Sequence, residues 1–233
     1  MASPDQTPML DWRDETIPVS RRFDDPYFSL AGGLDETRHV FLAGNGLPGR
    51  FRDGFQIAEL GFGTGLNLLA TLLAHPGPGH LHFTSFEAFP MAAADIARAL
   101  QAFPEVAGIA PGFLRQWESG ETTLRFPHLT ATIILGDARE TLPAWPGKAD
   151  AWFLDGFSPA KNPELWSAEL MAAVGRHTAP GGSFATYTAA GHVRRALAEA
   201  GFTVTRKPGF GRKRHMSVGV LQPSATASRM SPG

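Results

Sequence analysis

From residue 55 onward the chain alternates short apolar runs with amphipathic stretches. Residues 55–60 (FQIAEL) are a compact run that ends at a glycine, and residues 64–75 (TGLNLLATLLAH) carry leucines at helical spacing up to Pro76. Residues 81–87 (LHFTSFE) read as a strand, and the Ala-rich 91–103 as a helix stopped by Pro104. Strands are expected at 130–135 (TATIIL), 150–155 (DAWFLD) and 183–188 (SFATYT), with helices at about 164–177 and 191–200. Residues 202–207 and 216–221 close the pattern as two strands with no helix between them. Strands separated by helices of this length build βαβ units and a parallel sheet, whereas two directly joined strands pair antiparallel. The expectation is an α/β fold with a mostly parallel, seven-stranded sheet and an antiparallel C-terminal hairpin. Residues 23–221 form its one domain and 23–54 an N-terminal cap. Residues 1–22 are expected to be flexible, and 222–233 a disordered tail.

Composition narrows the class. The 233 residues are 43% hydrophobic and 18% charged, enough to build a core, and the 26 glycines and 19 prolines punctuate the apolar runs. With no cysteine there is no disulfide, thiolate nucleophile or Cys-ligated zinc. No apolar stretch nears the roughly 20 residues of a membrane span, and the first 15 residues lack the basic start and apolar core of a signal peptide. A cytoplasmic protein without a membrane partner is expected. The net charge of −1 gives no global attraction to nucleic acid, so an RNA partner requires a local basic patch.

The turn Glu59-Leu60-Gly61-Phe62-Gly63-Thr64-Gly65-Leu66-Asn67 lies between the first apolar strand and the first helix. Glycines allow a sharp bend and close approach of a ligand, and the helix N-terminus offers free N–H groups. Its G-x-G-x-G spacing differs from the G-x-G-x-x-G of dinucleotide sites and matches binders of S-adenosylmethionine (SAM), in a Rossmann-like sheet with a C-terminal hairpin. An ordinary strand–helix turn is the competing reading. Two carboxylates follow at strand ends. Glu87, twenty-four residues beyond Gly63, can accept from ribose hydroxyls, and Asp137 can meet an adenine amino group or simply cap the next helix.

The loop Leu154-Asp155-Gly156-Phe157-Ser158-Pro159-Ala160-Lys161-Asn162-Pro163 follows the next strand. In this fold it lies where methyl donor and acceptor meet. Methyl transfer to an amine needs a neutral nitrogen, so Asp155 is a candidate proton acceptor; as a bland alternative it caps the turn. A second candidate region is 206–214 (RKPGFGRKR), with five basic residues, no acidic one, and Phe210. It is either solvated surface or a loop that meets phosphates and stacks on a base. The eight histidines show no metal-ligand spacing, and there is no nucleophile elbow or phosphate loop. No metal is expected.

Several segments together resemble the MnmC methyltransferase family, whose stand-alone form is called MnmD: residues 25–29 (DPYFS), 33–42 (GLDETRHVFL) with Gly44-Asn45, the turn GFGTGLN, the loop LDGFSPAKNPELW, and GFGRKRHM. The resemblance spans residues 23–221. It implies SAM-dependent methylation of the primary amine of 5-aminomethyl-2-thiouridine at tRNA position 34, giving the 5-methylaminomethyl form. It implies that Glu59, Gly61, Gly63, Gly65, Asn67, Glu87 and Asp137 hold SAM and that Asp155 faces the acceptor amine. Tyr27, Phe28 and Asn45 would close the pocket, with Lys161 also on the substrate side, and Arg212, Lys213 and Arg214 would face tRNA. The bifunctional members carry a further FAD-dependent oxidoreductase domain. With no second glycine fingerprint before Gly233, this chain is expected to bind no FAD, and to depend on a separate oxidoreductase or other upstream wobble-uridine enzymes. Two alternatives stand beside this reading: an N-methyltransferase of a small amine or protein, and a non-catalytic RNA-binding module.

Overall fold

The computed structural model describes residues 7–29, 32–75 and 77–222. Strands β1 (Leu10–Arg13), β2 (Ile17–Ser20) and β3 (Asp25–Pro26) come first, then helix α1 (Gly33–Thr37), which runs into a π-helical turn at Arg38–Leu42. β4 (Gln56–Leu60), α2 (Leu66–Ala74), β5 (Leu81–Glu87), α3 (Ala93–Leu100), α4 (Ala110–Glu118), β6 (Thr123–Phe126) and β7 (Leu129–Leu135) follow. The remainder is α5 (Ala138–Ala144), β8 (Ala149–Leu154), α6 (Ala168–Arg176), β9 (Thr178–Thr186), α7 (Gly191–Glu199), β10 (Phe202–Pro208) and β11 (His215–Leu221).

The main sheet has the order β10-β11-β9-β8-β4-β5-β7-β6. β9, β8, β4, β5 and β7 run parallel to one another, and β10 and β11 form the expected antiparallel hairpin at one edge, β11 lying antiparallel to β9. The α/β class and the hairpin are as expected; the count of seven strands is short by one. β6 is a four-residue antiparallel edge strand, joined to β7 by the tight turn at Pro127 and His128. So short a strand carries little pattern of its own and exists because β7 offers a free edge. The stretch 1–22, expected to be flexible, holds the β1–β2 hairpin, which with β3 makes a separate three-stranded sheet. Of the expected tail, 222–233, all but Gln222 lies outside the described residues.

Side chains alternate between the two faces of the sheet. On one face Ile57, Phe83 and Phe153 pack with Leu68, Ile96 and Phe113 of α2, α3 and α4. On the other, Ala58, Leu60 and Trp152 meet Leu142, Met171 and Leu197 of α5, α6 and α7. Glu59 falls on the face of Ile57 and is therefore buried beneath α2 with no exposure at all. Because β4 is central, the chain winds outward through β5 and β7, then returns to β8 and winds the other way. The crevice at the carboxyl ends of β4 and β8 is thus the topological switch point, where ligands bind in open α/β sheets.

Candidate active site at the carboxyl ends of the strands

A cavity of about 730 Å³ opens at that switch point, within the size range of small-molecule sites. The glycine turn forms one wall. Gly61 has φ +87, and a Cβ there would stand 3.3 Å from the Asp155 carbonyl oxygen and 3.4 Å from Gly156 Cα. Only a residue without a side chain lets the turn after β4 lie this close to the loop after β8. Gly63, at φ +54, faces the Tyr27 ring, which a Cβ would meet at 3.2 Å. Gly65 does not line the cavity; its bare Cα packs against Phe113 and Phe62 beneath it.

Glu87 ends β5 and lines the cavity. Its carboxylate accepts from Gly63 N at 2.9 Å and from Phe89 N at 2.7 Å. Burial pushes its carboxyl upward, opposed by these backbone donors. The backbone N–H groups of Phe62 and Ala88 also act on this carboxylate. Asp137 also reaches the wall, but as the cap of α5: Oδ1 accepts from Arg139 N at 2.8 Å, and the Arg139 guanidinium holds Oδ2 at 2.6 Å. The hydrogen bonds from Arg139 keep its carboxyl below the usual range. The capping alternative therefore holds, and any adenine contact would share a carboxylate already engaged by Arg139.

Glu59 lies under the cavity rather than in it. It accepts from Asn67 Nδ2 at 2.7 Å and Ser85 Oγ at 2.6 Å. Burial raises its carboxyl well above the ordinary range; the Ser85 and Asn67 bonds oppose the rise, and the charges of Asp155 and Glu87 add to it. Asn67 donates its second amide hydrogen to Asp155 Oδ2 at 2.9 Å and accepts from Thr37 Oγ1 at 2.8 Å. The amide orientation follows from its partners, since only the NH₂ side can face two carboxylates.

Asp155 sits just past the end of β8. Gly156 N donates to its Oδ1 at 2.8 Å. Burial lifts its carboxyl to about 6, against the pull of the Gly156 and Asn67 bonds; nearby Glu36 raises it further and Lys213 lowers it. Tyr187, one residue beyond β9, donates its hydroxyl to Gly156 O at 2.7 Å and so props the same loop. Burial, with the charge of Asp155, holds the Tyr187 phenol well above its usual value.

The N-terminal cap closes the opposite side. Phe157 stacks on Phe23 with ring centroids 4.7 Å apart and meets Tyr27 edge-on at 5.0 Å. Asp25 Oδ2 accepts from Ser158 N at 2.8 Å. Lys161 does not reach the cavity; it bonds the Asp24 carbonyl and its carboxylate, pegging the 155–163 loop to the cap. Tyr27 and Phe28 line the cavity as expected, but Asn45 does not. Buried one layer away, Asn45 donates to the Phe41 and Trp152 carbonyls at 2.9 and 3.1 Å and accepts from Ser183 at 2.6 Å. It stitches the cap to β8 and β9.

The basic hairpin turn divides. Arg212 is at the cavity mouth and Arg214 is exposed outside it. Lys213 turns inward, its Nζ 2.7 Å from Glu36 Oε1 and 4.2 Å from the centre of the Tyr187 ring. Glu36, Tyr187 and Phe23 were not among the expected site residues. Tyr187 had a legible signal, an aromatic hydroxyl at a strand's carboxyl end. Glu36 and Phe23 had none, because they reach the cavity only through docking of the cap. Among the described residues no cluster of histidine and carboxylate groups could hold a metal, and no helix is long and apolar enough to cross a membrane.

Known proteins agree with this picture. A family profile described as S-adenosyl-L-methionine-dependent methyltransferase matches residues 104–222, about half of the chain. The tRNA 5-methylaminomethyl-2-thiouridine biosynthesis bifunctional protein MnmC of Pseudomonas paraeruginosa is 47% identical over 240 residues, covering 96% of this chain and 36% of that protein. The protein of the same name in Caulobacter vibrioides is 49% identical over 216 residues, covering 88% and 36%. The chain thus spans about a third of the length of these curated relatives. The crystal structure of MNMC2 from Aquifex aeolicus superposes with a TM-score of 0.76 at 26% identity, covering 95% of this chain and 74% of that one. The resemblance to the methyltransferase region of MnmC, first carried by a few motifs, extends through most of the chain. By profile, relatives and cavity alike, the chain belongs to the S-adenosyl-L-methionine-dependent methyltransferase family.

Proposed function

We propose that the chain transfers a methyl group from SAM to the primary amine of 5-aminomethyl-2-thiouridine at tRNA position 34, giving 5-methylaminomethyl-2-thiouridine. The observation that carries this reading is a desolvated carboxylate, Asp155, braced by Asn67 in the cavity that Glu87 also lines, in a chain whose relatives are named for that nucleoside.

The residues present fit a nucleoside sulfonium. Glu87 lines the cavity with a carboxylate that can accept from ribose hydroxyls, Gly61 and Gly63 present a wall without Cβ atoms, and Asp137 with Arg139 borders the wall beyond. When bound, SAM would supply an electrophilic methyl group, its C–S bond breaking as the new N–C bond forms. The chain's own residues deal with the acceptor. An aminomethyl group arrives as an ammonium, and Asp155 takes one proton so that the nitrogen lone pair is free to attack. A carboxyl near 6 rather than 3.8 makes that transfer about 3 kcal/mol less uphill. The methylated nitrogen leaves as a secondary ammonium, and Asp155 returns its proton to water. Tyr187 and the Lys161 peg hold the loop still while this happens, which is the positional part of catalysis.

The tRNA would approach over the β10–β11 turn, with Arg212 and Arg214 on its phosphates and Phe210, at the cavity edge, against a base. The aminomethyl group must come from an earlier reaction. As the resemblance to the MnmC family implies, a separate oxidoreductase would be its source; the relatives' name says only that they are bifunctional. Incubation with methyl-labelled SAM and tRNA carrying aminomethyl-thiouridine, followed by nucleoside mass analysis, tests the proposal. Gain of one methyl on that nucleoside is expected. Label confined to protein or to small amines overturns it.

A further inference from the structure

Lys213, the basic side chain of the hairpin turn that pairs with Glu36, has a role apart from its neighbours. We propose that Lys213 is a positioning residue for Asp155, acting on the acceptor site through charge and not as a tRNA contact. This rests on the reading of Asp155 as proton acceptor.

The geometry is specific. Lys213 Nζ lies 2.7 Å from Glu36 Oε1 and 4.2 Å above the Tyr187 ring, whose hydroxyl holds the residue next to Asp155. The Glu36 side chain is only 11% exposed, so this is not a loose surface pair. The groups around Asp155 come from every element packed there. Glu36 comes from α1 and Glu59 from β4, both anionic when ionised; Asp25 comes from β3, Asn67 from α2, and Tyr187 from the end of β9. These are acidic or neutral; the cations nearby are Lys213, Lys161, which lies 3.8 Å from Asp25, and Arg212 at the cavity mouth. Of these, Lys213 opposes the rise that burial and Glu36 impose on Asp155. Without it, Glu36 loses its counter-charge and Asp155 holds its proton to higher pH, where it cannot accept another. A cation beside the acceptor nitrogen also disfavours the ammonium form of that amine, which is the form that cannot attack. Arg212 at the cavity mouth and Arg214 exposed outside it leave tRNA attraction to be supplied without Lys213.

The test has two arms. In the first, the free protein is labelled with carboxyl-¹³C aspartate and titrated by NMR, the Asp155 signal being assigned by its loss in Asp155→Asn. The wild-type midpoint is expected near 6. Lys213→Met and Lys213→Gln should move it upward by about half a unit, less than for a close buried pair because Lys213 is 44% exposed. Lys213→Arg should restore it. In the second arm, single-turnover methylation of aminomethyl tRNA is followed against pH. The acidic limb should move up with the NMR midpoint, with affinity for S-adenosylhomocysteine unchanged. An unmoved Asp155 midpoint in both Lys213→Met and Lys213→Gln overturns the proposal. So does a rate lowered equally at every pH, which would make Lys213 a plain tRNA contact. Failure of the wild type to methylate tRNA would sink the functional reading and leave the titration to stand by itself.

Discussion

Asn67 donates a 2.9 Å hydrogen bond to Asp155 across 88 residues of sequence, joining the helix after the glycine turn to the loop after β8. The same NH₂ group donates to Glu59 at 2.7 Å. One amide thus ties a fully buried carboxylate to one that faces the cavity, and its own oxygen is satisfied by Thr37. Substituting Asn67→Ala takes this partner from Glu59 Oε1 and Thr37 Oγ1, while Ser85 still donates to Glu59 Oε2, and removes a bond that stabilises ionised Asp155. We expect a loss of about 1–3 kcal/mol in stability, together with an upward move of the acidic limb of activity. Denaturant melts and a pH–rate profile check both; a melt change with no movement of the limb would make Asn67 purely structural.

Asp155→Ala should separate chemistry from binding. Loss of a general base lowers turnover by about 10²–10⁴-fold, while calorimetric affinity for S-adenosylhomocysteine changes little, because Glu87 and the glycine turn form a different wall. Equal losses in both would move Asp155 into the donor site.

The raised carboxyl of Asp155 has a stability consequence with a definite sign. A folded-state value near 6 against 3.8 unfolded means the native state binds more protons between those pH values. Stability from this group therefore falls as pH rises through that window. Asp155→Asn lacks the titration. Its stability relative to wild type should rise by about 2–3 kcal/mol between pH 4 and pH 7, measured by urea melts. A difference that stays flat with pH contradicts the desolvated carboxylate.

Glu87→Gln replaces one acceptor oxygen with a donor where Gly63 and Phe89 both present N–H groups. Affinity for the nucleoside product should weaken by about tenfold or more, and turnover at saturating SAM should be nearly kept. A collapse of turnover at saturation would assign Glu87 to the chemistry.

Arg212→Ala with Arg214→Ala should weaken tRNA binding and reduce the slope of log K against log salt by about 1–2, as expected for two phosphate contacts. The S-adenosylhomocysteine affinity should be unchanged. An unaltered salt slope would make the turn ordinary surface.

Much of this site could be read along the chain because its parts are local. The glycine spacing, Glu87 at the end of LHFTSFE and Asp155 at the end of DAWFLD are each a strand followed by a turn, and strand ends converge wherever a parallel sheet forms. The residues whose surroundings were not legible share a cause. Asn45, Lys161 and Lys213 are polar residues in motif-bearing segments, and their roles depend on what docks opposite them. Asn45 meets Trp152 and Ser183, Lys161 meets Asp24, and Lys213 meets Glu36, at sequence separations of 107, 138, 137 and 177 residues. No local pattern encodes such partners.

By itself the sequence determined strands β4, β5 and β7 to β11 and helices α2, α3, α6 and α7, though not β1 to β3, β6, α1, α4 or α5; it also determined that the sheet is mainly parallel with a hairpin at one edge, and which acidic groups lie at its carboxyl ends. Those follow from periodicity and turn chemistry, which act over a few residues. Tertiary structure alone decided that Glu59 is buried under Asn67 and not exposed to a ligand, that Lys213 turns in while Arg214 stays out, and that Asp155 is desolvated enough to hold a proton near pH 6. Burial and Coulomb interactions depend on distance in space, and distance in space is set only when the cap, the sheet and the hairpin have packed together.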